Sequence, residues 1–144
     1  MPIERTFALL KPEALMGRHK KVLVDALIQV YENGLRVVTR EFRFPNEALI
    51  QEHYSAHLKE VFYDDLVKQL EGREVLAMVL EGENAVAVWR KVMGPYKQEE
   101  RELPENQTTI RGKFMERGAP LRYNFCHGAD SVEAAEREIA LWFG

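Results

Sequence analysis

The sequence has 144 residues, of which 46% are hydrophobic and 30% are charged, with a net charge of −3 and a single cysteine. This composition is typical of one folded domain and excludes collagen-like and disordered chains. The acidic balance argues against duplex DNA as a partner, because neutralising phosphates requires a basic surface. One cysteine excludes an intrachain disulfide, and no apolar run is long enough to span a membrane. We therefore expect a single cytoplasmic domain over residues 1–144 that binds neither nucleic acid nor membrane.

The first half of the chain is predicted to alternate strands with helices. Short runs of apolar and β-branched residues predict buried strands over 5–11 and 35–44. Apolar residues at helical spacing predict a helix over 20–33 between them. Asn46 is expected to cap a further helix that runs towards His57.

The second half continues this alternation and adds one long irregular stretch. Predicted strands cover 74–80 and 123–126, and predicted helices cover about 63–70, 83–93 and a final stretch opened by a capping box at Asp130 and Glu133. Residues 95–122 show little periodicity, and a loop of this length in a compact domain is usually functional or disordered.

The order of these elements predicts an α+β domain. Strands that alternate with helices suggest a two-layer sandwich, and a βαββαβ core fits the ferredoxin-like type, an antiparallel four-stranded sheet covered by helices. The order of the strands in the sheet stays open at this stage.

The segment most informative about chemistry is Asn-Phe-Cys-His-Gly-Ala-Asp-Ser, which contains His127 and leads into the last helix. Imidazole is a good neutral nucleophile near pH 7, provided that its second ring nitrogen is held by a carboxylate or a carbonyl. Glu138, at the edge of the apolar stripe of the last helix, is the candidate carboxylate. The spacing leaves open that His127 only packs in a strand–helix corner. The sequence contains no P-loop, no dinucleotide fingerprint, no serine elbow and no zinc spacing.

Four separated motifs, in order, resemble the nucleoside diphosphate kinase family over nearly the whole chain. They are ERTFALLKPEA, EHYSAH, TIRGKF and NFCHGADSVEAAEREIALWF. The resemblance implies the ferredoxin-like fold and transfer of the terminal phosphate from a nucleoside triphosphate to a nucleoside diphosphate through a phosphohistidine. It also implies Mg²⁺ bound through the nucleotide phosphates. The implied assembly is a homo-oligomer, with a tetramer or dimer favoured over a hexamer because the chain stops soon after the last motif.

The resemblance implies a role for nine side chains and no metal ligand. His127 matches the phosphorylated histidine and Glu138 the glutamate that orients it. The matched nucleotide-binding residues are Lys11 (phosphate and sugar), Asn124 (ribose), Arg90 and Arg111 (phosphates), Tyr54 and His57 (near the phosphates) and Phe62 (stacked on the base).

Two positions depart from the family pattern. Ala129 stands where the family has serine, and Tyr96 stands where it has a phosphate-contacting threonine. A lost secondary hydrogen bond predicts a modest fall in activity. One alternative is a nucleotide-binding regulatory module with reduced or lost catalysis, although the full set of matched residues speaks against it. An RNA-binding module is disfavoured by the negative charge. We assign His53 a structural role.

Overall fold

The computed structural model describes residues 2–16, 20–55 and 63–144. The strands are β1 Ile3–Leu10, β2 Arg36–Arg43, β3 Val75–Glu83 and β4 Cys126–Gly128. The helices are α1 Lys21–Glu32, α2 Glu47–His53, α3 Tyr63–Leu70, α4 Ala85–Met93, α5 Gln98–Arg101, α6 Ile110–Phe114 and α7 Val132–Phe143, with 3₁₀ turns at Pro12–Ala14 and Pro104–Asn106. The sheet order is β2-β3-β1-β4 with every neighbouring pair antiparallel, which confirms the predicted four-stranded sheet.

The central strand β1 is buried on both faces. Ala8 and Leu10 belong to the core cluster that includes residues of α1 and α4. Phe7 and Leu9 belong to a second cluster that includes residues of α2, α3 and α7. The sheet is therefore covered by helices on both sides, whereas the sequence analysis predicted two layers. An uninterrupted apolar run, rather than a polar–apolar alternation, is the pattern of a strand with no solvent face.

The predicted position of the last strand is wrong by several residues. A strand was predicted over 123–126, whereas β4 begins at Cys126 and has His127 as its middle residue. Phe125 lies in the left-handed region with a φ of 72°, which interrupts the extended chain just before β4. The cap of α7 also differs, because it is the Ser131 hydroxyl that accepts a hydrogen bond from the Ala134 amide.

The start of α2 agrees with the sequence analysis. The Asn46 side chain accepts a hydrogen bond from the Leu49 amide and caps the helix as predicted. The helix ends at His53. The predicted continuation towards His57 lies outside the described residues.

The stretch after α4 has more structure than its sequence indicated. It contains α5, a 3₁₀ turn and α6. Arg101 is buried there and donates hydrogen bonds to the carbonyl oxygens of Tyr96 and Glu116. At its start, Gly94 has a φ of 78°, and a Cβ there would lie 2.2 Å from Thr109 Oγ1. These contacts hold the segment against the body of the domain. Of the helices described, none is both long enough and apolar enough to cross a membrane.

Candidate active site

His127 sits in the middle of β4 with one ring nitrogen engaged. Its Nε2 lies 2.8 Å from Oε1 of Glu138, whose side chain is 6% exposed on α7. Its backbone carbonyl accepts a hydrogen bond from the Trp89 indole at 3.2 Å. The next residue has to be glycine, because a Cβ at Gly128 would lie 2.5 Å from Trp89 Cδ1. The carboxylate thus orients the imidazole and leaves Nδ1 as the nitrogen that Glu138 does not hold.

Burial and nearby cations keep His127 neutral. Burial is the largest cause that lowers the pKa of His127 to about 3, followed by the positive charges of Lys11, Arg111 and Arg90. Burial also raises the pKa of Glu138. A neutral imidazole near pH 7 has a lone pair available for nucleophilic attack, as covalent catalysis requires.

His127 lines a cleft of about 870 Å³, a volume within the usual range for small-molecule sites. Most of the charged side chains that line the cleft are basic. Among the described lining residues these are Lys11, Arg90, Lys97, Arg111 and Arg122, against the single carboxylate of Glu100. The cleft therefore suits a ligand with several negative charges and repels an additional cation.

Lys11 and Asn124 form one hydrogen-bonded group in the lining of the cleft. Lys11 is 3% exposed, and its Nζ donates to Asn124 Oδ1 at 3.3 Å and to the Arg122 carbonyl. Burial is the main cause that lowers the pKa of Lys11. The Asn124 amide in turn donates to the Leu121 carbonyl, which fixes the orientation of its side chain.

Arg111 and Arg90 lie at the cleft in different environments. Arg111 is buried and donates to the backbone oxygens of Gly94, Asn124 and Cys126 and to the Asn124 side chain. Four of its five N–H groups therefore have acceptors within the described part of the chain. Arg90 on α4 is exposed where it lines the cleft. Arg111 thus offers mainly a fixed positive charge, and Arg90 offers a side chain that can adjust to a ligand.

Tyr96 also lines the cleft and packs against Arg111. The Arg111 guanidinium carbon lies 5.9 Å from the centre of the Tyr96 ring. The other departure from the family pattern, Ala129, is 1% exposed. Tyr96 is thus part of the cleft, whereas Ala129 is buried two residues after His127, where its amide donates to the Phe7 carbonyl.

The structure brings most of the predicted site residues together. Six of them line the cleft: Lys11, Tyr54, Arg90, Arg111, Asn124 and His127. Glu138 contacts His127 directly. His57 and Phe62 lie outside the described residues, so their roles stay predictions from the resemblance.

Sequence reasoning missed two residues next to this site. Glu13 accepts hydrogen bonds from the Phe125 amide and the Gln69 side chain, and its carboxylate lies 3.7 Å from Lys11 Nζ. His53, assigned a structural role above, has its ring centre 4.5 Å from that of His127. The positions of both residues within family-like motifs, KPEA and EHYSAH, were the available signals.

Comparison with known proteins decides the family. The nucleoside diphosphate kinase family model matches residues 4–144. The chain belongs to the nucleoside diphosphate kinase family. A nucleoside diphosphate kinase of Caldanaerobacter subterraneus is 41% identical over 142 residues, covering 98% of this chain and 94% of that protein. One from Staphylococcus epidermidis is 38% identical over 141 residues, covering 98% of this chain and 88% of that protein.

Solved structures of this family share the fold. The Aquifex aeolicus nucleoside diphosphate kinase is similar with a TM-score of 0.86 and 30% identity, covering 99% of this chain and 96% of that one. The Encephalitozoon cuniculi nucleoside diphosphate kinase is similar with a TM-score of 0.85 and 32% identity, covering 98% of this chain and 89% of that one. The predicted ferredoxin-like fold is thereby confirmed.

As a nucleoside diphosphate kinase, the chain transfers the terminal phosphate of a nucleoside triphosphate to a nucleoside diphosphate. Neither the relatives nor the cleft favours the non-catalytic alternative.

Proposed function

We propose that Nδ1 of His127 carries the phosphate between the two nucleotides. In the first half-reaction the Nδ1 lone pair attacks the terminal phosphorus, the bond to the bridging oxygen breaks, and the nucleoside diphosphate leaves. In the second, a terminal oxygen of a new diphosphate attacks the same phosphorus and restores neutral His127. The 2.8 Å contact between Nε2 and Glu138 supports this proposal, because it engages Nε2 and not Nδ1.

Glu138 balances the charge that develops on the ring. When Nδ1 bonds to phosphorus, the imidazole keeps its proton at Nε2 and gains positive charge. The adjacent carboxylate of Glu138 stabilises that charge and holds the ring in line for transfer. Burial strengthens this interaction, because the Glu138 side chain is only 6% exposed.

The cations of the cleft stabilise the phosphates. Phosphoryl transfer depends mainly on positioning and on charge stabilisation. In the proposed arrangement Arg90 and Arg111 face the phosphate oxygens, Lys11 contributes charge near the phosphate and sugar, and Asn124 binds the ribose. Tyr54 and His57 lie near the phosphates and Phe62 stacks on the base, as the resemblance implies.

Three further features belong to this proposal. Mg²⁺ enters as part of the nucleotide substrate, since the cleft has one carboxylate, Glu100, among its described lining residues and is otherwise basic. The chain forms a homo-oligomer, a dimer or tetramer in preference to a hexamer. It acts in the cytoplasm, in keeping with its single cysteine.

The test is the first half-reaction with ATP labelled at its terminal phosphate. The unaltered protein should retain label in the absence of acceptor and release it as a triphosphate when a diphosphate is added. His127→Gln, which keeps the size of the side chain but not the nucleophile, should retain none. A labelled His127→Gln protein would refute the assignment of the nucleophile.

A matched pair of variants tests the role of the cleft. Arg90→Ala should raise the KM for nucleotide, because it removes a cation from the cleft. Lys91→Ala removes the same charge from the next residue of α4, which is exposed and does not line the cleft. Equal effects of the two changes would show that net charge, rather than a contact in the cleft, controls nucleotide binding.

A further inference from the structure

His53 is a buried histidine directly behind the proposed nucleophile. It is 4% exposed at the end of α2, and it does not line the cleft. Its ring meets that of His127 edge to face, with the ring centres 4.5 Å apart. A ring nitrogen of His53, a ring nitrogen of His127 and a carboxylate oxygen of Glu138 all lie within 4.8 Å of one another.

Trp142 determines where His53 carries its proton. The Trp142 indole N–H donates to His53 Nδ1 at 2.9 Å, so Nδ1 must be the acceptor nitrogen. Burial is the largest cause that lowers the pKa of His53 to about 3, so the ring is neutral near pH 7. A neutral imidazole that accepts at Nδ1 has its single proton at Nε2.

The Nε2–H group of His53 is a buried donor with no hydrogen-bond partner within the described part of the chain. A buried polar group without a partner costs free energy, and such groups call for a functional explanation. A carboxylate oxygen of Glu138 lies within 4.8 Å of a ring nitrogen of His53. Oε1 of that carboxylate bonds to His127, and its Oε2 lies 3.9 Å from the Arg137 guanidinium.

A metal site is the competing explanation, because two histidines and a glutamate can bind a cation. The Trp142 contact disfavours it. With the proton at Nε2 of His53, neither of its ring nitrogens has a free lone pair, since Nδ1 already accepts the indole N–H. Binding of a cation would require His53 to lose that bond or to change its tautomer.

We propose that His53, fixed by Trp142 with its proton at Nε2, is a positioning residue that directs this N–H at Glu138 and thereby holds the His127–Glu138 pair aligned for transfer. The N–H favours the ionised carboxylate and limits its rotation while the imidazole gains positive charge. The proposal rests on the assignment of His127 and Glu138 under the proposed function. It predicts that His53 affects the rate of phosphate transfer and has no effect on nucleotide binding.

The first experiment compares His53→Leu, which removes the donor, with His53→Gln, whose amide retains an N–H near the position of Nε2. His53→Leu should slow phosphoenzyme formation by roughly tenfold, the lower end of the effect of one hydrogen bond to a charged group, because His53 Nε2 has no hydrogen-bond partner in the described part of the resting protein. The dissociation constant of ADP should stay within twofold, and His53→Gln should recover most of the rate. Ile50→Val is the packing control, because Ile50 has an apolar side chain on the same helix, buried in the core cluster that contains Trp142.

The second experiment reads the tautomers by ¹⁵N NMR of histidine-labelled, unphosphorylated protein. His53 should show a protonated Nε2 in the unaltered protein and a mixture of tautomers in Trp142→Phe. This readout does not depend on catalysis. An absence of phosphoenzyme in the unaltered protein would refute the proposed function, whereas the tautomer assignment would be tested separately.

Three results would overturn the role of His53. The first is a rate within twofold of the unaltered protein in His53→Leu. The second is a joint loss of rate and ADP affinity that His53→Gln does not recover, which would indicate packing alone. The third is a proton at Nδ1 of His53 in the unaltered protein.

Discussion

Replacement of Glu138 by glutamine should make the enzyme slower and no less stable. Glutamine keeps the volume of the side chain and an oxygen that can accept from His127 Nε2 at the present 2.8 Å. It removes the negative charge. A hydrogen bond to a charged group contributes about 1.5–3 kcal/mol and a neutral one about 0.5–1.5 kcal/mol. The difference of roughly 1–1.5 kcal/mol corresponds to about a tenfold loss of the transfer rate. The loss should approach a hundredfold, because glutamine also leaves the positive charge that develops on the imidazole without a neighbouring negative charge.

The effect on stability follows from the pKa of Glu138. Burial raises that pKa above its ordinary value of 4.5, so ionisation is less favourable in the folded protein than in the unfolded chain. The unaltered protein therefore loses stability as the pH rises through 4.5 and on through the folded pKa. Glu138→Gln has no such loss. At pH 7 it should unfold at the same or a higher temperature than the unaltered protein, with a smaller difference at pH 4.

Rapid-quench measurement of phosphoenzyme formation gives the rate, and thermal unfolding at pH 4 and pH 7 gives the stability. Glu133→Gln, on the first turn of the same helix and exposed, is the matched control. An unchanged rate in Glu138→Gln, or a lower unfolding temperature at pH 7, would refute this account of the carboxylate.

Three further predictions concern pH, packing and the serine position. In the folded protein the pKa values of His53 and His127 are lowered to about 3, so between pH 6.5 and 3 the unfolded chain binds more protons than the folded one. The free energy of unfolding, measured in urea, should therefore fall as the pH drops from about 6.5 towards 3. His127→Gln should show a smaller fall, because it lacks one of the two histidines. Gly128→Ala should destabilise the fold by about 1–3 kcal/mol and impair transfer, because its Cβ would overlap Trp89; unfolding and activity measurements that both match the unaltered protein would contradict this. Ala129→Ser should raise the transfer rate by no more than about tenfold, as measured in a coupled kinetic assay, and a gain of several orders of magnitude would favour the regulatory alternative.

Periodicity predicted the elements whose structure is set by local burial. The continuous apolar run of β1 and the stripe of α7 are visible in sequence because every turn or pleat repeats the same environment. The position of β4 was not predictable in this way. It depends on the left-handed backbone of Phe125, whose amide donates to the Glu13 carboxylate, a residue far away in sequence.

Individual polar side chains show the same difference between what local sequence predicts and what tertiary contacts determine. His127 and Glu138 could be proposed from the chemistry of imidazole and the phase of the last helix. Arg101 and His53 could not be interpreted, because their partners come from the tertiary structure. In sequence Arg101 is one charge in a charged segment, yet it is buried against the carbonyls of Tyr96 and Glu116. His53 gains its tautomer only from Trp142, eighty-nine residues later.

The most direct test of the central claim is to identify the phosphorylated nitrogen. ³¹P and ¹⁵N NMR of the phosphoenzyme formed from ATP and Mg²⁺, with mass spectrometry to locate the residue, distinguishes the two ring nitrogens. We predict phosphate on Nδ1 of His127, with the proton of Nε2 retained towards Glu138. Phosphate on Nε2 of His127, or on any other residue, would contradict the account.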